Sequence, residues 1–157
     1  MKINENTIVY PLPADSEIRE VERNLRINLP NEYINFIKCY NGAEPITNQF
    51  QVSQREYLLE RFLCILEDSK DDEENGWYDI EVVISQIGDR LTNNEELVGM
   101  NIVPIGALFA GDYVCLDFRN EAEPSVVIWN HEESEEFSPS VEKISSNFTE
   151  FLNQLHV

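Results

Sequence analysis

Few residues in the chain could do covalent or phosphoryl chemistry, and their spacing argues against each known arrangement. Gly106 and Gly111 have the glycine separation of a phosphate-binding loop, but Asp112 and Tyr113 stand where the lysine and the hydroxyl residue should follow. A carboxylate there repels phosphate. His131-Glu132 opens like a helical zinc-protease signature, but the second histidine position is Glu135 and the chain has 2 histidines in all. A histidine-rich zinc site therefore lacks its ligands. Asp71, Glu73, Asn75 and Gly76 copy the opening of a calcium loop, yet Val82 stands where its bidentate glutamate belongs. His131 is the only internal base that could activate a nucleophile, and no Gly-x-Ser-x-Gly turn is present. Asp112 and Asp117 are the best carboxylate pair for glycoside chemistry, but their odd separation puts them on opposite faces of a strand. They read instead as a turn residue and a strand-end residue that bonds local backbone. The expectation is a protein without catalytic residues, metal or cofactor.

Charge and aromatic residues remain. Asp71, Asp72, Glu73 and Glu74 are followed closely by Trp77 and Tyr78. An aromatic pair beside acid is a pattern suited to a basic partner. Alternatively, Trp77 packs the loop back on the core. Glu132, Glu133, Glu135 and Glu136 form a second acidic segment, and neither segment contains Lys or Arg. Both could equally be solvated loops that keep the protein soluble.

These features sit in a chain of 157 residues with 30 Asp+Glu against 11 Lys+Arg, a formal net charge of −19. Nucleic acid and anionic membrane are poor partners for such a chain, because phosphate binding relies on clustered Lys and Arg. With 42% hydrophobic residues it is no disordered tail. At this length a single domain can bury enough surface to fold without a staple. The N-terminus lacks an apolar leader segment, and the uncharged run Leu97–Gly111 is too short to span a bilayer. Cys39, Cys64 and Cys115 stand far apart in apolar surroundings and read as buried free thiols. The expected location is cytoplasmic.

The elements that must position these residues follow from periodicity. Residues 1–14 read as an extended arm. Asp15 or Ser16 is expected to cap a helix with Ile18, Val21 and Leu25 on one face. After Asn28-Leu29, Pro30 suits the first turn of a second helix presenting Tyr33, Phe36, Ile37 and Tyr40, ended by Asn41-Gly42. Strands are expected at Gln49–Val52 and around Phe62–Leu66. An acidic loop is expected at 68–79, with Asp79 capping a third helix through Ile80, Val83, Ile84 and Ile87. Ile102–Leu108, Tyr113–Phe118 and Val126–Trp129 are runs of β-formers. The first two are joined by a tight turn at Ala110-Gly111-Asp112, the last two by Glu121–Ser125. A second acidic loop spans 132–138. Ser145 or Ser146 then caps a final helix with Phe148, Phe151, Leu152 and Leu155. The sum is an α+β fold in a single domain, 1–157. A mainly antiparallel or mixed sheet carries an N-terminal helix pair, a middle helix and a C-terminal helix around it.

Five of these segments, in order, resemble one family. Leu29-Pro30-x-x-Tyr33-x-x-Phe36 with Tyr40-Asn41-Gly42 resembles the opening signature of the SUKH superfamily. Ile102-x-Pro104-Ile105-Gly106, Gly111-Asp112-x-x-Cys115-Leu116-Asp117, Val126-Val127-x-Trp129-x-His131-Glu132 and Phe148-x-x-Phe151-Leu152 resemble its later elements. That superfamily holds fungal cell-wall-assembly regulators and many bacterial immunity proteins. The resemblance implies an α+β fold, no cofactor and a protein-binding role. The partner would be a cognate secreted polymorphic toxin, often a nuclease. The alternative is a regulatory or scaffolding module without a toxin. The motif residues themselves read as structural: Leu29, Tyr33 and Phe36 fix a helix, Gly42 and Gly111 supply unusual backbone angles, and Trp129 and Phe148 fill the core.

Overall fold

Alternation of side chains along β-strands normally leaves one face polar, but three strands here are apolar on both faces. The reason is visible in the computed structural model, which describes residues 1–96, 100–120 and 123–157. The chain forms β1 (Ile3–Asn4), α1 (Asp15–Leu25), α2 (Asn31–Tyr40), β2 (Glu44–Pro45), β3 (Gln49–Val52) and β4 (Arg55–Phe62). It continues with α3 (Ile80–Ile87), β5 (Ile102–Leu108), β6 (Tyr113–Asp117), β7 (Ser125–Trp129), β8 (Val141–Ser145) and α4 (Phe148–Gln154). Strands β3 to β8 form one six-stranded sheet in sequence order, every neighbour antiparallel. β1 and β2 pair in a separate two-stranded ribbon. This is the expected α+β fold, with an antiparallel sheet.

Successive residues of β6 and β7 feed two apolar clusters. Val114, Leu116, Val126 and Ile128 join the larger one with Tyr33, Phe36 and Ile37 of α2 and Phe148 and Phe151 of α4. Cys115, Val127 and Trp129 join the smaller one, against which Ile84 and Ile87 of α3 pack. Helices on both sides thus explain central strands that are buried on both faces. Phe148 lies at the centre of an aromatic group, 5.3 Å from Tyr33 and 5.2 Å from Phe36 by ring centres. Phe36 is 4.6 Å from Phe62. Such pairs add about 0.5–1.5 kcal/mol each beyond area burial. In β5, Pro104 sits beside a register shift between Pro104 and Gly106, which accommodates its missing N–H in a central strand. A Cβ on Gly106 would stand 2.8 Å from Leu59 Cδ1, so glycine there admits the leucine.

Several boundaries differ from expectation. The second strand of the sheet is Arg55–Phe62, not Phe62–Leu66. A register shift between Leu59 and Arg61 breaks its alternation, and the apolar run Leu63–Ile65 lies past the strand's end, buried, with the Leu63 N–H still donating to Ile105 O at 2.8 Å. Ala14, not Asp15 or Ser16, caps α1, where Glu17 Oε1 accepts the Ala14 N–H at 3.1 Å. Pro30 is the cap just before α2. Asn147, not Ser145 or Ser146, caps α4, accepting the Glu150 N–H at 2.8 Å. β8 was not expected, since its Val-Glu-Lys-Ile-Ser run buries only Ser145. Cys64 and Cys115 are buried but Cys39 is exposed, on the side of α2 away from its buried residues. Leu97–Gly99 and the start of the Glu121–Ser125 connection lie outside the described residues. Among the described residues no helix is long and apolar enough to cross a membrane.

Candidate functional site

The first acidic segment is an ordered loop. Asp72 accepts the N–H groups of Glu74 and Asn75 at 3.1 and 2.8 Å, and the Asn75 side-chain amide at 3.2 Å. These bonds favour the carboxylate and hold Asp72 below the usual range for its side chain. Asp68 caps a single helical turn through the Lys70 N–H at 3.0 Å. Gly76 passes so close to Ser69 that a Cβ would lie 2.4 Å from its carbonyl oxygen. From below, the Arg61 guanidinium reaches Gly42 O at 2.9 Å and Asn75 Oδ1 at 3.3 Å, and lies 4.0 Å from the centre of the Tyr78 ring. Tyr78 is therefore a half-buried anchor. Trp77 is the opposite case, 67% exposed, and does not pack the loop back on the core. Asp79 closes the loop, accepting from Glu81 N and Val82 N at the start of α3.

Asp71, Asp72, Glu73 and Glu74 line an open groove of about 990 Å³ with Glu67 and Asp68. Its other wall is Tyr10, 67% exposed, and Pro11. Sequence reasoning did not find Tyr10, which lies in the segment read as a plain arm.

The second segment is also folded. Asn130 Oδ1 accepts from Glu132 N and Glu133 N at 3.0 Å each, and Glu135 and Ser138 form a two-residue bridge. Arg90 secures this loop by donating to the carbonyls of His131 and Ser134. It lies 5.1 Å from the centre of the Trp129 ring, and the indole N–H donates to Arg90 O at 2.9 Å. Glu133 bonds Ser140 Oγ at 3.2 Å. Glu135 and Glu136 are exposed. Glu132 borders a different cleft, of about 510 Å³, with Tyr57, Leu58, Phe109, Asp112 and His131. The first acidic segment thus lines one cleft, and Glu132 of the second borders another.

The motif residues are mostly interior. Leu29, Tyr33, Phe36, Trp129, Phe148 and Phe151 are buried, and Pro30 is half-buried. Asn41 is fully buried: its amide donates to Val9 O and Ile65 O, and its oxygen accepts the Ile65 N–H at 2.8 Å. Gly42 adopts φ 66°, with Val9 and Cys64 packed against its Cα. Gly111 adopts φ 96°, and Ala110 before it φ 75°, a region costly for a residue with a Cβ. Asp117 pairs with Arg119, 3.0 Å from both Nε and Nη2. Asp112 and His131 differ from these interior residues in bordering the Phe109 cleft. Among the described residues no three His, Cys, Asp or Glu side chains converge as metal ligands would.

The sequence profile of the SMI1-KNR4 cell-wall family, SUKH_6, matches residues 15–152. The chain belongs to this family. A curated relative, the SPbeta prophage-derived uncharacterized protein YokK of Bacillus subtilis (strain 168), is 24% identical over 162 residues. The alignment covers 98% of this chain and 82% of that protein. No solved structure matches the chain. The SUKH_6 match takes in both acidic segments and the Phe109 cleft, whereas Tyr10, Pro11 and β1 lie before it.

Proposed function

We propose that this SUKH domain is a non-enzymatic, cytoplasmic protein-binding module that neutralises a cognate toxin with a basic, nucleic-acid-binding surface. One observation carries the reading: an ordered groove bordered by six carboxylates (Glu67, Asp68, Asp71, Asp72, Glu73, Glu74) with exposed aromatic residues at its margin or in its loop. Partly ordered carboxylates facing solvent attract a cationic protein, and Tyr10 and Trp77 supply apolar area that charge alone lacks. The prophage origin of YokK fits a gene that travels with a toxin. A second reading, a regulatory or scaffolding module without a toxin, takes its support from the cell-wall description of the family.

The test is binding to the products of neighbouring genes. A toxin-like neighbour should bind at nanomolar to micromolar affinity and lose its activity on binding. Failure of every such neighbour to bind at micromolar concentration would remove the toxin reading and leave the regulatory one.

A further inference from the structure

The β5–β6 turn presents an aromatic side chain to solvent where a buried or polar one would be expected. Phe109 is 69% exposed, beside Leu58 at 37%. Its backbone N–H donates to Leu58 O at 3.0 Å, which fixes the two together. The turn that follows holds two consecutive residues at positive φ, Ala110 and Gly111. Asp112 then accepts from the backbone and the ring of His131, so the turn is tied to the end of β7. An exposed phenylalanine on a floppy loop would be unremarkable. Here the chain accepts a strained alanine and adds a second tether, and the result is an apolar pair displayed on a backbone held from both sides. Rigid aromatic residues lose little conformational entropy on binding and serve as anchors. Glu56 and Glu132 stand at the rim of the same cleft, and among the described residues Arg55 is the one Lys or Arg that lines it.

Resting on the binding-protein reading above, we infer that this cleft seats a protein segment in which an apolar side chain is flanked by lysine or arginine. Phe109 and Leu58 receive the apolar side chain, and Glu56 and Glu132 receive the flanking charge. Neither apolar residue belongs to the acidic segments, so the inference adds a second contact region to the domain.

The probe is a short peptide, Lys-Lys-Phe-Leu-Lys-Lys, titrated into isotope-labelled protein and followed by backbone amide shifts. Lys-Lys-Ser-Ser-Lys-Lys is the control for charge alone. Saturable shifts are expected at Leu58, Phe109, Ala110 and His131 with the first peptide, at least about tenfold tighter than with the control. Phe109→Ala should abolish the difference without changing the melting temperature, because the side chain is exposed. Equal behaviour of the two peptides, shifts centred on Asp71–Glu74, or a Phe109→Ala variant that binds as well as wild type would each overturn the inference. So would a dimer of the protein alone that Phe109→Ala dissociates, since a second copy would then be the occupant. A toxin that binds wild type and Phe109→Ala equally would overturn the cleft while leaving the toxin reading intact. If no toxin is found, the peptide result still decides the cleft.

Discussion

Asp112 Oδ1 stands 2.6 Å from His131 Nδ1 and 2.9 Å from the His131 backbone nitrogen, so one carboxylate oxygen joins the β5–β6 turn to the exit of β7. With the proton on Nδ1, the ring donates to Asp112 and turns Nε2 towards Glu132, 3.9 Å away. Asp112→Ala removes the acceptor for both donors and should destabilise by about 1–3 kcal/mol. Asp112→Asn keeps an oxygen for the backbone N–H and should lose less. Amide exchange read at His131 and Tyr113 locates the effect. No change in exchange or melting temperature for Asp112→Ala would mean that the tether is not stabilising.

Phe148 and Trp77 are aromatic residues with opposite surroundings, and the same truncation should separate them. Phe148→Ala empties the space between Tyr33, Phe36 and Phe151 and should destabilise by about 3–5 kcal/mol. Trp77→Ala removes an exposed ring and should stay within about 0.5 kcal/mol. Denaturant unfolding of the two variants checks both values. Comparable losses would contradict the burial assigned to them.

Gly76→Ala tests whether the acidic loop is built or merely solvated. The new Cβ would meet a backbone oxygen at 2.4 Å, which a side-chain rotation cannot relieve. Lost protection of the amides at position 76 and at Tyr78 is expected, with the sheet amides unaffected. Gly42→Ala should act globally instead, because φ 66° and the packed Val9 and Cys64 side chains both oppose a Cβ. Loss of protection in the same region for both variants would contradict a locally built loop.

The three thiols should react in two classes. Cys39 is exposed, whereas burial pushes the Cys64 thiol up to about 12 and raises Cys115 well above its ordinary value. A disulfide reagent at about pH 8 should therefore titrate one thiol quickly and the other two only on unfolding. In stability terms, a thiol whose folded pKa is raised contributes fully below the unfolded value, near 8.5, and the contribution is lost as pH rises through the folded one. Melting temperature should thus fall progressively above about pH 9. Three equal reaction rates in the native protein would refute the burial of Cys64 and Cys115.

Elements with a strong apolar period were legible in the sequence: α1 and α2, α3 behind Asp79, and the central strands β5 to β7. The unread elements have physical reasons. β8 is an edge strand whose successive residues Glu142 and Lys143 are both exposed, so no alternation marks it. β4 carries a register shift that breaks the period of two, and the buried run after it imitates a strand. β1 and β2 are two residues each and exist only through pairing across the fold. The acidic segments were legible as charge, but Asp72 and Glu133 bond within their loops, which spacing does not reveal. The display of Phe109 depends on backbone angles at Ala110 and Gly111 and on the bond that the His131 N–H donates to Asp112, a pairing remote in sequence.

The acidic segments should speed the encounter with a basic toxin more than they tighten the complex. Exposed charges act at a distance and are weak at contact, so their signature is the on-rate and its loss in salt. The structure refines which residues to change. Asp72 holds its loop together, so the first variant is Asp71→Asn, Glu73→Gln, Glu74→Gln, with Asp72 kept. Glu133 bonds Ser140, so the second is Glu132→Gln, Glu135→Gln, Glu136→Gln. Each should lower the on-rate at low salt, by about tenfold where its segment faces the approaching partner. The difference should shrink near physiological ionic strength, where the screening length is about 8 Å. Because the first segment lines one cleft and Glu132 of the second borders another, the two variants need not weigh equally, and the larger effect marks the side on which the toxin arrives. Equal on-rates for wild type and both variants at low salt would remove the segments from the mechanism. Trp77→Ala would then be the informative change. Tyr78 is unsuitable because Arg61 packs on its ring, whereas Trp77 is free to be truncated, and the loss of its contact should raise the off-rate and leave association unchanged.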